Sequence, residues 1–200
     1  MSKKGKFICI EGLDGCGKTT QAKLLARKLG KSHNAAYTAE PSNGEIGNYI
    51  RNNYLYGEKR LSIVLEALLF AADRIEHVEN EILPSLNKGR LVISDRYVYS
   101  SLAYQGAAGL SLDWIGTINE HALKPDLAVF IDVDPEAVVD RLKPHKSVME
   151  NLETQKKVRQ IYMKFVKDAH LTRIDGDKSK SEVAEDVYAV VTKFLKAHYG

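Results

Sequence analysis

Cysteine is scarce in this chain of 200 residues. Cys9 and Cys16 are too few and too poorly spaced for a disulfide framework or a zinc site, and two free thiols suit a reducing cytosol. Long hydrophobic runs are lacking too. The opening Met-Ser-Lys-Lys-Gly-Lys leads into an apolar run of only four residues, Phe7 to Ile10, too short for a signal peptide or a membrane span. The expectation is a cytoplasmic protein without a membrane partner. Nor does charge of one sign dominate. The formal net charge is +3 and no strongly basic patch stands out, so nucleic acid is not an expected partner. A small phosphorylated ligand needs only a few well-placed cations, which this balance permits. There is no internal repeat, low-complexity tract or long linker. What remains is ordinary globular composition, 44% hydrophobic and 28% charged, in a length that suits one domain spanning 1–200.

Short apolar runs rich in β-branched residues alternate with segments of helical period. The runs are Phe7–Ile10, Ala35–Thr38, Leu91–Ser94, Leu127–Ile131 and Leu171–Ile174, the length and apolarity that a buried parallel sheet requires. Helical stretches fall near 18–29, 44–56, 61–83, 97–107, 111–123, 135–143, 149–169 and 180–198. The last opens with Ser179 and Glu182 at capping-box spacing and places Val183, Val187, Val190, Val191 and Leu195 on one face. Such alternation predicts an α/β fold, a doubly wound parallel sheet of about five strands flanked by helices, with ligands at the carboxyl ends of the strands.

Immediately after the first run comes Gly12-Leu13-Asp14-Gly15-Cys16-Gly17-Lys18-Thr19, which satisfies G-x-x-x-x-G-K-[ST]. The glycines let the backbone turn tightly, so that its N–H groups converge on phosphate oxygens. Lys18 supplies a point charge for the β and γ phosphates, and the Thr19 hydroxyl is a candidate magnesium ligand. The helix that starts at Lys18 adds its N-terminal dipole beneath the anion. The expected ATP-binding set is this loop from Gly12 to Thr19 together with Thr20. A regulatory GTPase would carry Asn-Lys-x-Asp, but the chain reads Asn87-Lys88-Gly89-Arg90. Asp113–Gly116 fits that class's shorter D-x-x-G only within a helical stretch, where it looks accidental.

The third strand ends in Ser94-Asp95-Arg96-Tyr97 and the fourth in Ile131-Asp132-Val133-Asp134. A strand-end carboxylate facing a phosphate loop can hold magnesium directly or through water, which makes Asp95 a metal candidate. Arg96 could grip an acceptor's phosphate bidentately. For Asp132 and Asp134, before Pro135, capping and turn roles are favoured. In the 61–83 helix, periodicity predicts a core stripe of Leu61, Val64, Leu65, Leu68, Ala72, Ile75 and Ile82. Phe70, Arg74 and His77 fall opposite it. That second face reads either as a base-binding surface, aromatic plane plus planar donor, or as a second buried face.

These residues resemble the thymidylate kinase family. The resemblance covers the P-loop, Glu40-Pro41, Leu69-Phe70-Ala71-Ala72-Asp73-Arg74 and Asp95-Arg96-Tyr97. It continues through Ser100-Ser101-Leu102-Ala103-Tyr104-Gln105-Gly106 and Asp132-Val133-Asp134-Pro135-Glu136. It implies ATP-dependent, magnesium-assisted conversion of dTMP to dTDP by a P-loop kinase fold with a short lid near 141–150. By the same resemblance Phe70 stacks on thymine, Arg74 contacts the base, and Arg96 binds the acceptor phosphate. Ser101 faces the base, Tyr104 and Gln105 line the nucleoside pocket with Glu40 and Pro41 nearby, and Asp14 lies near the sugar and reacting phosphates. A homodimer built on helix packing is implied as well. Two positions depart from the family pattern: Ala39 stands where an Arg often precedes Glu-Pro, and Val148 stands at the lid's expected Arg, with Glu150 matching the lid's final Glu and a candidate metal contact. Arg141 is then the first choice for the lid cation, ahead of Lys143 and Lys146. The runner-up activity is a deoxynucleoside kinase, in which Glu40 would act as base toward a 5′-hydroxyl.

Overall fold

The computed structural model describes residues 4–55, 61–141 and 151–199. Among the described residues five strands form one all-parallel sheet: β1 (Lys6–Gly12), β2 (Ala36–Ala39), β3 (Leu91–Asp95), β4 (Leu127–Asp132) and β5 (Thr172–Asp175), in the spatial order β2-β3-β1-β4-β5. Each of the five apolar runs is a strand. Phe7, Ile8 and Ile10 on β1 and Val129, Phe130 and Ile131 on β4 are fully buried. Burying side chains of that size stabilises by about 1.5–3 kcal/mol each.

After β1 the chain moves to one edge of the sheet, and after β3 it crosses to the other side of β1. Connections between parallel strands run right-handed as a rule, which for this strand order puts the intervening helices on both faces. α1 (Lys18–His33) packs on α9 (Lys180–Tyr199), and α5 (Val98–Ala107) packs on α8 (Leu152–Lys167). The chain reverses direction across the sheet at β1, where such folds open a crevice at the strands' carboxyl ends. The capping box of α9 forms as expected: Ser179 N–H donates to Glu182 Oε2 at 3.0 Å, and Glu182 N–H donates to Ser179 Oγ at 3.3 Å. Its face of Val183, Val187, Val191 and Leu195 is buried. α6 (Leu112–Ile118) is shorter than the pattern indicates and carries Asp113 and Gly116 inside one helix, which agrees with reading their D-x-x-G spacing as accidental.

The long helical stretch overturns an expectation. It comprises α3 (Ile63–His77), a wide π-turn segment Val78–Ile82 and α4 (Leu83–Asn87). The presumed core stripe faces outward: Val64, Leu65 and Leu68 are 44%, 44% and 43% exposed, and Ala72 is exposed too. Glu66, Asp73, Arg74 and His77 are buried instead. Two physical causes combine. The polar face is wanted inside because it pairs with groups from β2 and α5. The π segment also changes the angle per residue, so Ile82 enters the core although residues 64–72 of its stripe do not.

Candidate functional site

The phosphate loop leaves β1 at Gly12 and enters α1 at Lys18. A Cβ at Gly12 would stand 2.5 Å from Cys16 Sγ and 2.9 Å from the Ile131 carbonyl, so only glycine fits. Gly17 caps α1 with φ 92°, the left-handed region that favours glycine. Lys18 is nearly buried; its Nζ donates to the Leu13 carbonyl at 3.0 Å and lies 3.5 Å from Asp14 Oδ1. That same Oδ1 is gripped by Arg96 Nη2, reaching over from the end of β3. Asp14 N–H donates to the Tyr104 hydroxyl at 2.9 Å, and the Arg96 guanidinium lies 5.1 Å from the centre of the Tyr104 ring. Burial raises the Asp14 pKa, but the charges of Arg96 and Lys18 outweigh it and hold the carboxyl well below its ordinary range. Burial opposes the charge on Arg96, yet Asp14 keeps its pKa raised.

At the end of β3, Asp95 Oδ2 accepts a hydrogen bond from Thr19 Oγ1. Asp95 Oδ1 is buried without a hydrogen-bond partner. A hydroxyl beside an unpartnered carboxylate oxygen fits magnesium, a hard cation that usually takes one or two carboxylates and fills its shell with water and substrate phosphate. Among the described residues there is no cluster of three or more acidic, His or Cys side chains that would form an all-protein cage.

A second centre lies under α3. Arg74 is almost fully buried; its Nε and Nη2 both donate to Glu40 Oε2, at 3.0 and 2.7 Å. Arg74 Nη2 also reaches Ser101 Oγ at 3.1 Å, while Nη1 donates to Asn119 Oδ1 at 2.5 Å. Glu40 Oε1 faces His77 Nδ1 at 3.3 Å, and His77 Nε2 pairs with Thr38 Oγ1 at 2.6 Å. Gln105 Nε2 donates to the buried Glu66 at 2.7 Å, leaving Gln105 Oε1 buried and unpartnered. The Pro41-Ser42 turn is fixed by Asp73, which accepts from Ser42 N–H at 2.9 Å and from its hydroxyl at 2.6 Å. Phe70 is half-buried on α3, one turn before Arg74. Thus Arg74, Ser101 and Glu40 share one hydrogen-bonded cluster, and Phe70 and Gln105 lie on the helices that supply it.

Asp132 corrects the cap-and-turn reading. It is buried at the end of β4 and takes Arg159 Nε at 2.6 Å, Arg159 Nη2 at 2.9 Å and Arg173 Nε at 2.7 Å. A carboxylate so deep must be paired. Asp134 does cap: its Oδ1 accepts from Glu136 N–H at 2.7 Å, at the start of α7 (Pro135–Arg141). Arg141 is exposed at the end of α7. The other lid positions, Lys143, Lys146, Val148 and Glu150, lie outside the described residues.

Several residues of these networks escape sequence reasoning: Thr38, Glu66, Asn119 and the partners of Asp132, as does Glu11 at the end of β1, which meets the Ser100 and Tyr162 hydroxyls. Glu11 had one local signal, a charged side chain at the end of an apolar strand. The others had none, because their partners lie far off in sequence.

A parallel sheet whose first strand feeds a phosphate loop, with a second cation drawn to that loop from β3, defines a P-loop nucleotide kinase. The family model for thymidylate kinase matches residues 10–187. A probable thymidylate kinase of Pyrococcus abyssi is 46% identical over 197 residues, covering 94% of this chain and 96% of the relative. One of Methanococcus maripaludis is 49% identical over 162 residues, 80% of this chain and 77% of the relative. One of Pyrobaculum aerophilum is 41% identical over 192 residues, 95% and 98%. The chain belongs to the thymidylate kinase family and is accordingly a nucleoside monophosphate kinase, a transferase.

Proposed function

We propose that the chain transfers the γ-phosphoryl group of ATP to dTMP, giving ADP and dTDP, with magnesium as cofactor. One observation carries the division of labour: Lys18 and Arg96 converge on the same oxygen of Asp14. Two cations that share one carboxylate are close enough for the donor and acceptor phosphates to meet between them. Lys18 and the loop amides from Gly12 to Thr20 hold the β and γ phosphates of ATP. Arg96 releases Asp14 to bind the acceptor phosphate. Thr19 and Asp95 would hold magnesium, which when bound neutralises charge on the phosphate oxygens. The second pKa of a monophosphate lies near ~6, so the attacking oxygen is largely deprotonated at neutral pH and needs no base. Positioning and charge neutralisation then suffice. The thymine ring stacks on Phe70 and meets the Arg74–Ser101–Gln105 group, with Tyr104, Glu40 and Pro41 around the nucleoside. Arg141 supplies the lid cation, and residues 1–200 act as one domain.

The deoxynucleoside-kinase alternative needs Glu40 as a free base. Glu40 is buried and spends both oxygens on Arg74 and His77, which disfavours it. Purified protein with ATP and magnesium should release ADP with dTMP and not with thymidine; turnover with thymidine alone would reverse the acceptor assignment.

We place the protein in the cytoplasm as a homodimer. Among the described residues no helix is long and apolar enough to cross a membrane. The exposed stripe of Val64, Leu65 and Leu68 on α3 suits a second copy of itself across a twofold axis. Each leucine buried there contributes about 1.5–3 kcal/mol, and the symmetry doubles every substitution. Leu68→Glu should therefore weaken dimerisation at least ~100-fold while leaving the circular-dichroism spectrum intact. Sedimentation velocity reads this directly, and a dimer of unaltered strength would remove α3 from the interface.

A further inference from the structure

Glu11 stands at the end of β1, fully buried, and takes no part in the transfer as described. Three donors meet its carboxylate. Tyr97 N–H donates to Oε1 at 2.9 Å, while the Ser100 hydroxyl at 2.6 Å and the Tyr162 hydroxyl at 3.1 Å donate to Oε2. Ser100 Oγ in turn accepts from Arg96 Nη1 at 3.0 Å. Glu11 therefore holds the residue next to Arg96 through its backbone, and the Arg96 guanidinium through one intermediate hydroxyl.

The backbone of Arg96 explains why such a hold is needed. Its φ is 72°, a left-handed conformation that strains a residue other than glycine and persists only where the surroundings over-determine it. Arg96 N–H donates to the Ile10 carbonyl at 3.0 Å, and Ser94 Oγ donates to the Arg96 carbonyl at 2.7 Å. The Tyr97 N–H bond to Glu11 is the third tie. Two of the three anchor the turn to adjacent residues of β1, Ile10 and Glu11, the strand that also feeds the phosphate loop. The same strand thus sets both phosphate grips.

We propose that Glu11 is a positioning residue for the acceptor phosphate, fixing the Arg96 turn and, through Ser100, aiming the guanidinium at the phosphate loop. This rests on the reading of Arg96 given above. A role confined to satisfying buried donors would disturb ATP and dTMP alike.

The test is steady-state kinetics on Glu11→Gln, Ser100→Ala and the double variant. In Glu11→Gln the amide oxygen can still accept the Tyr97 N–H, but the NH2 then meets the Ser100 and Tyr162 hydroxyls as a donor. Both must reverse and accept, and Ser100 Oγ is then shared between the amide and Arg96 Nη1. Burial pushes the Glu11 pKa up to about 7, so the expected effect is that of buried hydrogen bonds weakened, not of a full charge removed: a KM for dTMP raised about tenfold in Glu11→Gln, with KM for ATP within about twofold. Ser100→Ala should raise it less, and the double variant should be no worse than Glu11→Gln. Equal changes in both KM values, or a double variant whose losses multiply, overturn the proposal. Should Glu11→Gln not fold, Tyr162→Phe removes one donor from the same carboxylate and is expected to raise KM for dTMP alone; wild-type values there count against Glu11. Arg96→Ala separates the two layers. If it leaves KM for dTMP unchanged, the reading of Arg96 fails and the proposal with it. If it raises that KM while Glu11→Gln does not, positioning by Glu11 alone is refuted.

Discussion

Arg96→Ala lowers kcat/KM for dTMP by about a thousandfold, an expectation set by the cost of removing one preorganised cation from a phosphoryl-transfer site. The side chain cannot be replaced from nearby. Its guanidinium is held by Asp14 and Ser100 and lies over Tyr104. Each contact directs a planar group that a lysine would not reproduce, so Arg96→Lys should recover only a small part of the loss. On the ATP side the consequences are small, because Lys18 and the loop amides remain. Asp14, deprived of Arg96, still has Lys18 within 3.5 Å. Calorimetric binding of ATP should stay within about threefold of wild type. Loss of ATP affinity in step with loss of dTMP turnover would assign Arg96 to the donor nucleotide instead.

The second large effect is on stability. Arg74→Ala leaves the buried Glu40 with Oε2 stripped of both its donors and only His77 beside Oε1, and a buried charge that loses its principal partner in this way costs about 3–5 kcal/mol. For a chain of this length that corresponds to a fall in melting temperature of roughly 10 °C. Removing both charges should be far milder. An Arg74→Met, Glu40→Gln double variant gives up the ion pair but leaves no lone charge, so most of the lost melting temperature should return. Activity toward dTMP should not return with it, because Arg74 and Ser101 together form the donor-bearing surface offered to the base. Melts followed by circular dichroism, paired with turnover, distinguish the two. A single variant as stable as wild type would mean that Glu40 finds water or another partner and that the pair is not a structural linchpin.

The outward-facing stripe of α3 shows how sequence periodicity misleads. Leu61, Val64, Leu65, Leu68 and Ala72 form a regular apolar stripe, and a regular apolar stripe ordinarily marks the core. Here Val64, Leu65, Leu68 and Ala72 face outward while Glu66, Asp73, Arg74 and His77 point inward. Periodicity reports that a helix has two unlike faces. It does not report which face the rest of the chain needs. Arg74 is drawn inside by Glu40, 34 residues earlier, and by Asn119, 45 residues later; no window on the helix contains either.

The five parallel strands, the phosphate loop with Lys18 and Thr19, and the Asp95–Arg96 pair are each written in consecutive residues whose backbone preferences and chemistry act locally, and so are legible without the fold. Which charges meet follows from the folded chain and from no segment of it. Asp14 and Arg96 are 82 residues apart, Glu11 and Tyr162 are 151 apart, and Asp132 joins two arginines from different elements. Such pairings depend on strand order and on which helix covers which face. They are settled by the free energy of burying the whole core together with its charges, a quantity that no local segment carries.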